Sequence, residues 1–198
     1  MSTKSPEGQG QGGPGHEAAV IIPVKAFANA KMRLAQVLTP RQRADLARKM
    51  ATHVVGAARP LPVAVVCDDD EVAQWAQQLG ARALLEPGLG LNGAVATAYS
   101  QLGSEGYKRL IVAHGDLPLA TNLSWLADDQ GIVIVPDRRD EGTNVISLPA
   151  GCGFRFSYGP GSFARHCEEA AKAGTAWRVA RVAELAWDVD FPADMAAL

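Results

Sequence analysis

Cysteine is scarce: Cys67, Cys152 and Cys167 are odd in number, far apart and without a C-x-x-C pair. That excludes a disulfide framework and a zinc ribbon, and the thiols read as reduced. No apolar run approaches the length of a membrane span, and the N-terminus lacks the apolar core of a signal peptide. A cytoplasmic protein is expected, with no membrane partner. Charge of one sign is also lacking, with a formal net charge of -2. This argues against nucleic acid or an anionic surface as the main partner. No G-x-x-x-x-G-K-[ST] is present, which removes the P-loop NTPases, and no G-x-S-x-G supports a serine hydrolase. His53, His114 and His166 form no H-x-x-H or E-x-x-H pair, so a transition-metal site has no support.

What is there suits one α/β domain. A chain of 198 residues, 47% of them hydrophobic, is long enough for one substantial core and too short for two. Residues 1–16 are Gly, Gln, Pro and Ser with nothing to bury, and a disordered tail is expected there, ahead of a domain over 17–198. Strands are expected at Ala18–Val24, Val63–Val66, Arg82–Leu85, Leu110–Ala113, Ile132–Val135, Val145–Leu148 and Leu185–Val189. Helices are expected from Thr39-Pro40 to about Gly56, over Glu71–Leu79, Ala94–Leu102 and Asn122–Asp128, from Ser162 to about Ala173, and from Pro192. Strands alternating with helices indicate a mostly parallel sheet covered by helices on both faces.

The chain is organised around Arg109-Leu-Ile-Val-Ala-His-Gly-Asp-Leu-Pro118. A run apolar on both faces suits a buried parallel strand, and ligands bind at the carboxyl ends of such strands. Asp116 stands there; the plain alternative is a turn residue. Asp188 and Asp190 alternate at the end of the last expected strand and would project together. With Asp116 they would make a three-carboxylate magnesium site, hard oxygens for a hard ion; a solvated pair is the alternative. Between Lys25 and Lys49 lie seven basic residues and one acid, which fits a small polyanion, with Lys25, Lys31 and Arg33 as phosphate-binding candidates. Gly159-Pro-Gly-Ser162 opens a helix whose backbone N–H groups would receive an anion, and Ser162 would also be its N-cap. Asp68-Asp69-Asp70 reads as helix capping rather than metal binding.

Gly88-Leu-Gly90-Leu-Asn92-Gly93 matches G-x-G-x-x-G between a strand and a helix, the rival reading being a dinucleotide-dependent oxidoreductase. That fingerprint normally occupies the first strand–helix unit, and here two precede it. A glycine loop against a mononucleotide accounts for the same residues, with Gly88, Gly90, Asn92 and Gly93 near base or ribose. A nucleotide-sugar glycosyltransferase would rest on Asp188-x-Asp190, but only eight residues follow. A non-catalytic binding module is also open.

Taken together, Ile22-Pro-Val-Lys25 with Ala30-Lys-Met-Arg-Leu34, the glycine loop from Gly88 to Asn92, Gly115-Asp-Leu-Pro118, Pro136-Asp-Arg138 with Gly142-Thr-Asn144, Tyr158-Gly-Pro-Gly-Ser-Phe163 and Asp188-Val-Asp190 resemble the CofC/FbiD family. These are the guanylyltransferases of coenzyme F-420 biosynthesis. More distantly the chain is similar to the molybdenum-cofactor nucleotidyltransferases, which share the nucleotide-diphospho-sugar-transferase type of fold. Their glycine-rich first loop is replaced here by Pro23-Val-Lys25. The resemblance implies that GTP and a phosphorylated three-carbon acid are joined with loss of pyrophosphate. The acid is phosphoenolpyruvate, 2-phospho-L-lactate or 3-phospho-D-glycerate in different members. The Ala/Arg/Gly-rich composition and the Gly-Pro tail look like those of the high-GC actinobacterial members, and the resemblance to those members implies phosphoenolpyruvate as the first choice. The resemblance also implies that Thr143, Gly159 and Ser162 bind the acid, that Asp116, Asp188 and Asp190 bind one or two Mg²⁺, and that a downstream F-420 transferase takes the product. Asp116, Asp188, Asp190 and Lys25 are the expected catalytic residues.

Overall fold

A computed structural model describes residues 17–197. The tail expected over 1–16 lies outside the described residues. Seven strands are described, β1 (Ala18–Pro23), β2 (Val63–Cys67), β3 (Arg82–Leu85), β4 (Arg109–Ala113), β5 (Ile132–Pro136), β6 (Thr143–Pro149) and β7 (Trp177–Val179), in one sheet of order β3-β2-β1-β4-β6-β5-β7. All pairings are parallel except those of β6, which runs antiparallel to both β4 and β5. The helices are α1 (Pro40–Ala57), α2 (Asp70–Gln78), α3 (Gly90–Ser104), α4 (Ser162–Lys172) and the single turn α5 (Ala183–Ala186).

Strand alternation divides the core. Val20 and Ile22 of β1 join Val65, Ile111 and Val133 beneath α1 and α2, while Ala19 and Ile21 join Ala64, Leu110 and Ile134 beneath α3 and α4. Successive side chains of a strand point to opposite faces, so a run apolar throughout must be covered twice. A smaller cluster of Leu34, Met50 and Val189 pins the C-terminal segment against α1 and the loop after β1.

The helix starts are local chemistry. Thr39 accepts the Gln42 N–H at 3.3 Å while the Gln42 side chain takes the Thr39 N–H at 2.9 Å, a reciprocal cap followed by Pro40. Asp69 caps α2 through the Val72 N–H at 3.0 Å.

Three sequence expectations are corrected. The third helix starts at Gly90, not Ala94, because Gly88 and Gly90 take positive φ, turn the chain out of β3 and let Leu91–Gly93 enter the first turn. Ser162 is the first residue of α4 rather than its cap; Gly161, with φ 70°, holds the cap position. Leu185–Val189 is no strand: Ala183–Ala186 forms α5, and the sheet edge beside β5 is occupied by β7. β7 escapes sequence reading because it has three residues, two of them exposed, with Arg178 at its centre.

Candidate active site

The carboxyl ends of β1, β2 and β4 open onto one cleft of about 720 Å³. The reversed direction of β6 brings its first residue, Thr143, to the same edge, where His114 N donates to the Asn144 carbonyl at 3.0 Å. A parallel β6 would have carried Thr143 to the far edge. Topology therefore decides that Thr143 and Asp116 face one space.

At one end of the cleft, acids and bases interlock. Lys31, with left-handed backbone (φ 52°), sends Nζ to Asp116 Oδ2 at 2.5 Å and to Asp190 Oδ1 at 3.2 Å. Arg33 donates to Asp190 Oδ2 at 2.8 Å. The Lys31 loop is braced from α1 by Arg43, buried, whose guanidinium donates to the Ala30 carbonyl at 3.0 Å. Burial is the largest influence on the Asp116 carboxyl and raises it, but the charges of Lys31 and His114 and the Lys31 hydrogen bond together outweigh it and hold the group below the usual carboxylate range. For Lys31, burial is likewise outweighed by the two carboxylates, and its pKa is raised. Asp188 has no such relief. Burial, with the charges of Asp116 and Asp190 adding, pushes it up to about 6.

Asp116 Oδ1 and Asp188 Oδ1 are both buried and without a hydrogen-bond partner among the described residues. Orphaned anionic oxygens are costly unless a cation meets them, so these two fit Mg²⁺, which takes one or two protein carboxylates and completes its shell with water and phosphate. Both oxygens of Asp190, the third carboxylate of the expected set, are engaged by Lys31 and Arg33, and among the described residues no three acid, His or Cys groups are gathered as a metal site. Asp188 and Asp190 do share the cleft wall, with Val189 between them fully buried. Alternation thus holds in an extended segment that pairs with no strand.

The segment is fixed by Asp194, fully buried one turn on. Its Oδ2 accepts the Asp190 and Phe191 N–H groups at 2.8 and 2.7 Å, and its Oδ1 receives Arg138 and, at 2.7 Å, Arg139. Burial opposes ionisation, but these donors bring the Asp194 carboxyl down to about 2.

At the other end of the cleft stand Thr143, Gly159 and Ser162, with Thr143 and Ser162 buried. Asp137 shapes the loop before Thr143 by accepting the N–H groups of Arg139, Glu141 and Gly142 at 2.9, 3.0 and 2.8 Å. A Cβ at Gly142 would lie 2.8 Å from Asp137 Oδ2, so a larger residue there would displace the carboxylate that shapes this turn. Lys25 is exposed on the cleft wall and makes no ion pair among the described residues.

Of the expected site residues, Lys25, Lys31, Arg33, Gly90, Asp116, Thr143, Gly159, Ser162, Asp188 and Asp190 line the cleft; Gly88, Asn92 and Gly93 do not. Asn92 instead clasps the Tyr158 backbone, accepting its N–H at 2.6 Å and donating to its carbonyl at 3.3 Å. Sequence reading gave Asp137, His166 and Asp194 no role in the site. His166 did carry a signal, standing one helical turn after Ser162 and so on the same face.

A family model described as "Guanylyl transferase CofC like" matches residues 18–198. The chain is similar to a phosphoenolpyruvate guanylyltransferase of Sphaerobacter thermophilus, 37% identical over 187 residues that cover 90% of each protein. It is 35% identical over 188 residues to a 2-phospho-L-lactate guanylyltransferase of Methanothermobacter thermautotrophicus, covering 90% of this chain and 82% of that one. In three dimensions it is similar to a putative nucleotide-diphospho-sugar transferase from Desulfovibrio desulfuricans, with TM-score 0.70, 18% identity, and 90% and 84% of the two chains covered. That likeness establishes the fold. The family match spans nearly the whole chain and includes every cleft residue described above, so this chain belongs to the CofC-like guanylyltransferases and is a nucleotidyltransferase.

Proposed function

We propose that this chain transfers the guanylyl group of GTP to phosphoenolpyruvate, giving enolpyruvyl-diphospho-5'-guanosine and pyrophosphate, as a cytoplasmic step of coenzyme F-420 biosynthesis. The observation that carries the reading is the pair of buried, unpartnered oxygens on Asp116 and Asp188, which border the same cleft as Thr143 and Ser162. A cation site and an anion site in one cleft suit two phosphorylated substrates that must meet. The name borne by the Sphaerobacter relative supports phosphoenolpyruvate; that of the Methanothermobacter relative keeps 2-phospho-L-lactate as the alternative acceptor.

In this reading the acid's phosphate oxygen, already anionic, attacks the α-phosphorus of GTP. The bond from that phosphorus to the β-bridging oxygen breaks, and its electron pair leaves with pyrophosphate. No general base is required, so catalysis is positioning and neutralisation of charge. Lys25, Lys31 and Arg33 supply positive charge for the triphosphate. Thr143, the Gly159 backbone and Ser162 at the start of α4 hold the acid. Asp116 and Asp188 would hold Mg²⁺, which when bound screens the repulsion between the phosphates. Asp190 keeps Lys31 and Arg33 in place. The test is saturable, GTP-dependent turnover of phosphoenolpyruvate that is lost in Asp116→Asn; a fully active Asp116→Asn enzyme would exclude this use of the cleft.

A further inference from the structure

His166 lies on α4 with its ring fully buried, and both ring nitrogens are engaged. Nε2 meets the Ser157 N–H at 2.9 Å, and Nδ1 lies 3.0 Å from Thr143 Oγ1. A backbone N–H can only donate, so Nε2 must present its lone pair. In the neutral ring the proton then resides on Nδ1 and points to Thr143. Among the described residues Thr143 Oγ1 has no other partner, and Thr143 lines the cleft. Its hydroxyl has accepted one hydrogen bond and still carries its own proton.

We propose that His166 is a positioning residue that fixes Thr143 as a hydrogen-bond donor to the anionic acceptor acid; this rests on the reading of the cleft given above. A free threonine hydroxyl can donate or accept. Against a phosphate or carboxylate, only donation is useful, and an accepting orientation is repulsive. A ring locked as Nδ1–H removes the wrong choice before the acid arrives. The surroundings keep the ring neutral: the rings of Phe154 and Tyr158 pack on it with centroids 5.5 and 4.9 Å away. Burial, with the charge of Arg165 adding and that of Glu169 opposing, brings His166 down to about 4. The same hydrogen bond couples β6 to α4, so the donor at Thr143 and the start of α4 at Ser162 are set by one side chain.

Two substitutions separate the two ring contacts. His166→Gln can accept the Ser157 N–H but cannot also donate to Thr143. His166→Asn places an amide N–H near the position of Nδ1 and gives up the Ser157 contact. The proposal expects His166→Gln to raise the KM for phosphoenolpyruvate about tenfold, the loss of one useful hydrogen bond, with kcat and the KM for GTP within about twofold. Thr143→Val should do the same, and Thr143→Val/His166→Gln no more than Thr143→Val alone. His166→Asn should lie closer to wild type than His166→Gln. Independent effects that multiply in the double variant would overturn the proposal. Nitrogen-15 NMR of wild-type protein at pH 7 tests it without any variant: a protonated Nδ1 supports it, and a protonated Nε2 overturns it alone. A protonated Nδ1 in an enzyme with no saturable dependence on any of the three acids overturns the acid-binding reading and the proposal together.

Discussion

Lys31 Nζ and Asp116 Oδ2, 85 positions apart in sequence, meet at 2.5 Å at the mouth of the cleft. The ammonium also reaches Asp190, so a single cation holds the end of β4 and the C-terminal segment together. Its side chain is only 10% exposed, so removing it leaves two acids facing each other with little water to screen them. Lys31→Met is expected to cost about 3 kcal/mol of stability, the usual penalty for breaking a buried pair on one side. Denaturant unfolding would register it as a lower midpoint, and turnover should fall with it. A variant of unchanged midpoint would mean that the pair is worth little.

Asp188 should show stability and activity opposed. Its folded pKa, about 6, lies above the ordinary value near 3.8. An acid raised on folding costs nothing below its unfolded pKa, and the cost grows until pH passes the folded one. At pH 7 in metal-free buffer, Asp188→Asn is therefore expected to melt higher by about 5 °C while turnover drops at least about a hundredfold. Calorimetry in chelator together with a turnover assay gives both numbers. A variant that melts lower would show that the Asp188 carboxylate is not a burden to the fold.

Asp194 works in the opposite sense. Its folded pKa of about 2 is depressed from near 3.8, so its contribution is present above the unfolded value and is lost as pH falls through the folded one. Asp194→Asn should cost about 2 kcal/mol at pH 5, and the gap from wild type should shrink between about pH 4 and pH 2. Urea titrations across that range measure it. A gap that stays constant would remove the Arg138 and Arg139 ion pairs as its cause.

Asn92 separates two roles for the glycine loop. Since its amide clasps Tyr158 from both sides, Asn92→Ala should loosen the segment that carries Gly159 and Ser162. The KM for the acid is expected to rise several-fold, with the KM for GTP nearly unchanged. Steady-state kinetics varying each substrate in turn decides it; a rise confined to GTP would return Asn92 to the nucleotide.

Much of this was legible in the sequence because it is local. The apolar runs of β1, β2 and β4, the Thr39-Pro40 start of α1 and the Asp69 cap of α2 are written in neighbouring residues. Asp116 and Lys31 could be placed beside one cleft because the end of β4 and the basic loop after β1 lie there, whereas Asp188 lines it although the strand expected to carry it does not form. Other features depend on the sheet order. Nothing near β6 announces that it runs antiparallel, yet that reversal delivers Thr143 to the cleft. Arg33 and Lys31 occupy Asp190, which spacing alone left available for metal. The three-residue β7 holds the sheet edge beside β5, while Leu185–Val189, expected as a strand, does not form one. His166 and Asp194 act on backbone groups and on partners far along the chain, and such contacts leave little trace in any one stretch.

The most direct measurement is pyrophosphate release from GTP and Mg²⁺ with phosphoenolpyruvate, 2-phospho-L-lactate or 3-phospho-D-glycerate as the only added acid. Release that requires an acid, fastest with phosphoenolpyruvate and absent in Asp116→Asn, is the predicted result. Bound GTP that yields no pyrophosphate with any of the three, or yields it equally without an acid, would contradict the account.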